Sequence, residues 1–133
     1  GWKRLVLFAT CLKPQAVDQV WRRFPFRWRS CWEQDFAAIS RDGQLRVAPI
    51  LEDLVFPRQR PLMAQWLRRI AQLPVQQLVP AHFDAPIACN PNQLSALAEA
   101  WEQQDQPAAE LQDRAFLRAF NRQVERLGLV PKP

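Results

Sequence analysis

Leu5, Val6, Ala9 and Leu12 recur at helical spacing behind Trp2, and Leu, Phe and Ala outnumber β-branched residues there, so the segment predicts a helix. Pro14 suits a first helical turn, and Val17, Val20, Trp21 and Phe24 follow an i, i+3, i+4, i+7 stripe. A second helix is therefore expected from Pro14 until Pro25 stops it. The stretch from Phe24 to Trp32 has no clean period and reads as an aromatic-rich connection, followed by a short helical turn through Phe36 and Ile39. Arg41-Asp42-Gly43 is a turn signal.

Beyond that turn, Leu45 and Val47 lead into Pro49, and Ile50, Leu51, Leu54 and Val55 share one face of a short helix. Met63, Trp66, Leu67 and Ile70 form a clearer stripe with Arg68 and Arg69 outside it, between Pro61 and Pro74. Val75 to Val79 is the best strand candidate, since it is short, carries β-branched residues and is cut off by Pro80. Asn90-Pro91 is an N-cap and N1 pair for a helix carrying Leu94, Leu97, Ala98 and Trp101. Pro107 introduces a last helix with Leu111, Phe116, Phe120 and Val124, and Gly128 supplies its C-cap. No repeat interrupts this order, which is helix-rich α/β with few strands. A lone strand leaves its backbone groups unpaired. Its neighbours must come from elsewhere in the chain, from residues preceding Gly1, or from another chain completing the sheet.

Composition narrows the class. With 133 residues, 48% hydrophobic and 23% charged, the chain is of globular type, which excludes a disordered tail or a rod. The longest apolar run, Leu5 to Leu12, is broken by Thr10 and is too short to span a bilayer. Flanked by Lys3, Arg4 and Lys13 it invites a reading as a peripheral membrane contact, but its apolar residues are not confined to one face, which favours a buried element. Cys11, Cys31 and Cys89 are odd in number and widely spaced, so they read as small hydrophobes in a reducing, cytoplasmic compartment.

The net charge is +5 and unevenly placed. Before Glu33 the only acid is Asp18, against Lys3, Arg4, Lys13, Arg22, Arg23, Arg27 and Arg29. Glu99, Glu102, Asp105, Glu110 and Asp113 follow later with no base among them. Such polarity attracts an anionic partner or solvates two faces of one domain. Trp21, Arg27, Trp28 and Arg29 have the aromatic and guanidinium interleaving that a single-stranded nucleic-acid site requires. Burial of the rings, with Arg stems lying along them, is the stronger reading.

Three glycines, Gly1, Gly43 and Gly128, exclude a Gly-rich phosphate loop. The only histidine is His82, just past the candidate strand and two residues before Asp84, a position suited to a metal ligand or general base. Zinc needs three or four protein ligands, and beyond these two only the distant Cys89, Glu52 or Asp53 remain.

Taken together, Gly1 to Phe8 ending in Lys13-Pro14, Val47 to Leu51 with Leu54 to Phe56, Trp66 with Ile70, Val79-Pro-Ala-His-Phe-Asp-Ala-Pro-Ile87 and Leu127 to Val130 resemble the C-terminal half of a known family. The family occurs in cyanobacteria and plant plastids, is described as a domain of unknown function, and is similar to the metallo-β-lactamase fold. The run from Val79 to Pro86 is its most specific piece, and the resemblance covers nearly the whole chain. It implies that residues 1–133 form a single domain, the C-terminal part of a larger αββα sandwich, with a plastid stroma location in plant relatives. It also implies that His82 falls where metallo-β-lactamase-like hydrolases carry the last ligand of a two-metal site, with Ala81 in place of their glycine. The His-x-His-x-Asp-His cluster of such enzymes is absent here. The resemblance thus implies no cofactor held by this chain, zinc or iron only in a complete parent, and no hydrolysis by the chain alone.

Overall fold

Helices carry most of the order in the computed structural model of the chain, which describes residues 1–18, 27–79, 86–104 and 111–132. The chain divides into two compact units. One combines Gly1–Arg58 with Gln106–Pro133, and the other is Gln59–Asp105.

In the first unit α1 spans Trp2–Cys11 and buries Leu7 and Cys11, while Trp2 and Leu5 stay exposed. The helix stops at Leu12, whose φ of 59° is left-handed and whose N–H donates to the Phe8 carbonyl at 2.7 Å. That conformation costs a non-glycine residue about 1–2 kcal/mol. Complete burial of Leu7, worth about 1.5–3 kcal/mol, offsets it.

The helix expected from Pro14 is not formed over residues 14–18. The Val17 N–H closes a turn onto the Pro14 carbonyl, and Val17 then bridges Trp28 in antiparallel fashion. The Asp18 N–H donates to the Arg27 carbonyl and the Arg29 N–H to the Ala16 carbonyl, so backbone groups a helix would use are committed across the chain. Val20, Trp21 and Phe24 of that expected stripe lie outside the described residues. α2 (Trp32–Ser40) covers the expected turn at Phe36 and Ile39. Leu7, Cys11, Ala16 and Ile39 form a core cluster, with Trp28, Cys31 and Trp32 packed against it.

The short helix after Pro49 takes a wider form than expected: Leu51–Val55 is a π turn, closed by the Phe56 N–H on the Leu51 carbonyl at 2.8 Å. The wider turn rotates its face, so Glu52 is buried while Val55 is half exposed. The last helix, α5 (Ala115–Arg126), starts later than Pro107 implies, because residues 111–114 are in turns and Leu111 is exposed. Its C-terminus matches the glycine expectation. Gly128 has φ 68°, its N–H donates to the Glu125 carbonyl, and the Leu129 N–H donates to the Val124 carbonyl, the paired bonds of a Schellman motif.

The second unit holds α3 (Arg60–Ile70) and α4 (Pro91–Gln103), which pack on each other through Ala64 and Leu67 on one side and Leu94, Ala98 and Trp101 on the other. Trp66, read from its stripe as core, is instead 52% exposed. The ladder of α3 that faces α4 runs through Ala64 and Leu67, and the bulky ring is left on the flank. The Trp101 ring donates from Nε1 to the Arg60 carbonyl at 2.9 Å and lies under the Arg60 guanidinium. Asn90 and Gln93 complete a reciprocal capping box at the start of α4.

The strand candidate shortens to β1 (Gln77–Leu78), paired antiparallel with β2 (Ile87–Ala88) in the register Gln77 to Ala88 and Leu78 to Ile87. A partner is thus supplied from within the chain, and the two strands are the whole sheet among the described residues.

Candidate functional site

His82, Asp84 and Trp21 lie outside the described residues. The other expected residues separate into three places. Trp28 is half buried, its ring against the core cluster of the first unit. Arg29 donates from Nε to Asp18 Oδ1 at 2.6 Å, with both side chains about half exposed. Arg27 is exposed. Of this quartet, then, one ring is engaged in packing and one guanidinium in an ion pair. Cys89 is buried in the second unit, and its Sγ lies 3.7 Å from the Asn90 carbonyl.

Glu52 and Asp53 are claimed by a residue that sequence analysis missed. Arg114 is completely buried, donating from Nε to Asp53 Oδ2 at 2.6 Å and from Nη2 to Asp53 Oδ1 at 2.8 Å. Such a two-point grip is the strong form of a carboxylate contact. Its Nη1 lies 2.6 Å from Glu52 Oε2, where Arg46 Nη2 also approaches to 3.6 Å. Arg118 adds a partly exposed charge 3.6 Å from Asp53. Burial is the largest influence on Glu52 and pushes its carboxyl above the ordinary range, against the pull of Arg114 and Arg46. Next to Arg114, the buried Asp113 accepts the Gln15 N–H at Oδ1 over 2.6 Å, fixing the loop after α1 to the start of α5.

No local signal announces this cluster. Arg114 is 61 residues from Asp53, and in the sequence it looks like one more surface base. Asp53 is gripped on both oxygens by Arg114, whereas the buried Glu52 Oε2, with Arg114 and Arg46 nearby, has no hydrogen-bond partner among the described residues. Among the described residues, which do not include His82 and Asp84, no group of three His, Cys, Asp or Glu side chains is placed to hold a metal.

A cleft of about 400 Å³ opens beside the cluster in the same unit, lined by Lys13, Gln15, Asp18, Arg29, Gln112 and Phe116 among others. It offers amides, cations and an aromatic wall, and its one carboxylate is tied to Arg29.

No helix among the described residues is long and apolar enough to cross a membrane. No curated protein and no solved structure matches the chain. The model of the family described as a domain of unknown function, DUF4336, matches residues 1–100, and on that match the chain belongs to this family.

Proposed function

We propose that residues 1–133 are the C-terminal part of a larger metallo-β-lactamase-like domain, lacking a complete metal site and inactive in hydrolysis alone. The observation that carries this reading is the sheet. Two strands of two residues each are too little to stand alone in water, and the apolar Val79 and Ile87 beside and within them are 76% and 48% exposed. Leu62, Trp66 and Leu73 in and just beyond α3 are exposed in the same unit. An upstream half, or another chain, that adds strands to β1 or β2 would cover such side chains. His82, with Asp84 beside it, stands where the run from Val79 to Pro86 resembles the last-ligand segment of that fold.

Metal analysis of the chain purified from zinc- and iron-replete medium tests the reading. The expected result is far less than one ion per chain, unchanged by His82→Ala, and no phosphodiester or lactam hydrolysis. A stoichiometric metal lost in His82→Ala together with hydrolysis would overturn it. Joining the coding region upstream of Gly1 should raise the melting temperature; an unchanged melt argues against a missing half.

Polyanion binding through Trp21, Arg27, Trp28 and Arg29 is the alternative. The Asp18–Arg29 pair and the packing of Trp28 oppose it. Salt-sensitive binding of single-stranded DNA, abolished by Arg27→Ala with Trp28→Ala, would establish it.

A further inference from the structure

The cleft of the first unit is lined by three segments that hydrogen bonds tie to one another: the loop from Lys13 to Asp18, Arg29, and the start of α5 from Gln112 to Phe116. The Gln15 N–H donates to the Asp113 carboxylate at 2.6 Å, the Arg29 N–H to the Ala16 carbonyl at 2.8 Å, and the Asp18 N–H to the Arg27 carbonyl at 3.1 Å. Pro14 and Val17 of the lining are buried. A cleft held in this way spares a ligand the cost of ordering the loop. Its volume, about 400 Å³, falls within the roughly 300–1,000 Å³ usual for small-molecule sites.

The charges of the lining do not cancel. Arg29 meets Asp18 through Nε, and among the described residues no hydrogen bond uses its two terminal nitrogens. Lys13 is exposed and forms no ion pair there. One cation is therefore left over, beside guanidinium donors not yet used. The half-buried Phe116 ring stacks on that of Phe120, one helical turn on, with centroids 6.2 Å apart and planes 18° from parallel, so α5 itself braces the aromatic wall.

We propose that this cleft binds a small aromatic carboxylate. The carboxylate takes the charge of Lys13 and the terminal nitrogens of Arg29, and the ring lies against Phe116. The side-chain amides of Gln15 and Gln112 serve polar substituents on that ring. Asp18 fixes Arg29 and repels a second negative charge, which favours a monoanion over a phosphate dianion. The apolar part of the lining is Pro14, Val17, Ala115 and Phe116, enough for one ring and less than the run of side chains that a helix or strand would bury. A second copy meeting the same cleft about a two-fold axis would set Lys13 and Arg29 against their own counterparts. The lining lies wholly in the first unit, so the site is independent of how the sheet of the second unit is completed.

Calorimetric titration of the whole chain with 2-naphthoate, against the neutral 2-naphthamide and against acetate, tests the proposal. 2-Naphthoate should bind one to one, and the amide and acetate about tenfold more weakly or less, since each lacks one of the two contacts. Lys13→Gln should weaken 2-naphthoate about fivefold and leave 2-naphthamide unchanged. Ala115→Trp, at an exposed position of the lining, should abolish binding by filling the cleft; Gln112→Trp serves as a second blocking variant. Circular dichroism and the melting temperature of Lys13→Gln should match the wild type. No saturable binding, equal affinity for 2-naphthoate and 2-naphthamide, or affinity indifferent to Lys13→Gln and to both blocking variants would overturn the proposal. So would tighter binding of adenosine monophosphate than of 2-naphthoate, which would make the site one for phosphates.

Discussion

Arg114 shows how a single side chain decides the interior of the first unit. Guanidinium and carboxylates together are tolerated in a dry site because each has partners, and removal of one leaves the rest uncompensated. Arg114→Met should therefore lower stability by about 3–5 kcal/mol in urea denaturation, the range for breaking a buried pair; a loss below about 1 kcal/mol would show the cluster to be solvated in solution. Glu52 adds a pH dependence. Its carboxyl titrates above the ordinary 4.5 when folded, so in the interval above 4.5 the folded chain binds more protons than the unfolded chain. Stability contributed by this group is then highest at low pH and falls as pH rises through the interval. Measured against Glu52→Gln, the wild type should lose stability as pH climbs from about 4 to 7, and a gain would contradict the assignment. The cysteines differ in the same physical way. Burial pushes the Cys11 thiol up to about 12, Cys89 is buried, and Cys31 is half buried. A disulfide-exchange reagent should titrate one thiol quickly in the native chain, and Cys31→Ser should abolish that fast phase. Sequence alone treats the three as alike, because exposure depends on residues that sequence spacing does not bring together.

At the scale of elements, legibility follows the distance over which a segment's partners are found. α4 carries its own instructions: Asn90, Pro91 and Gln93 satisfy the first-turn donors locally, and Leu94, Ala98 and Trp101 return every three or four residues. Asn90→Ala should cost about 1 kcal/mol, the usual value of an N-cap, read as a lower melting temperature, while Asn92→Ala, next to Pro91 and outside the box, should not lower it. Gly128 is equally readable, since its positive φ is a local need. Residues 14–18 are not, although the stripe that Val17 begins with Val20, Trp21 and Phe24 is spaced as regularly as that of α4. Their backbone groups are satisfied by residues 27–29, and no count of apolar positions weighs a competing bridge. The π turn at Leu51–Val55 misleads by face, because a turn wider than 3.6 residues leaves Glu52 buried and Val55, of the expected apolar face, half exposed. The His82 and Asp84 pair, legible only as chemistry-bearing residue types beside a strand, owes its reading to the family resemblance more than to spacing.

At the scale of the whole molecule, continuity of the chain matters as much as its contacts. The second unit is one uninterrupted stretch, Gln59–Asp105, set between the two segments of the first. It contains its own helix pair, strand pair and the buried Trp101, so its interactions do not wait for the C-terminal segment. A chain ending at Gln104 should accordingly keep protection of α4 amides in hydrogen exchange and lose it around the π turn; equal protection in both would refute the division. The family match, residues 1–100, also ends before α5. Synthesis on a ribosome gives this arrangement a direction in time. Asp53 emerges 61 residues ahead of Arg114, and at about 5–20 residues per second its carboxylate spends roughly 3–12 s without its counter-ion. During that delay Glu52 has Arg46 for a nearby cation, whereas the two-point grip on Asp53 waits for the later segment, so burial of this pair of carboxylates has to follow synthesis of Arg114.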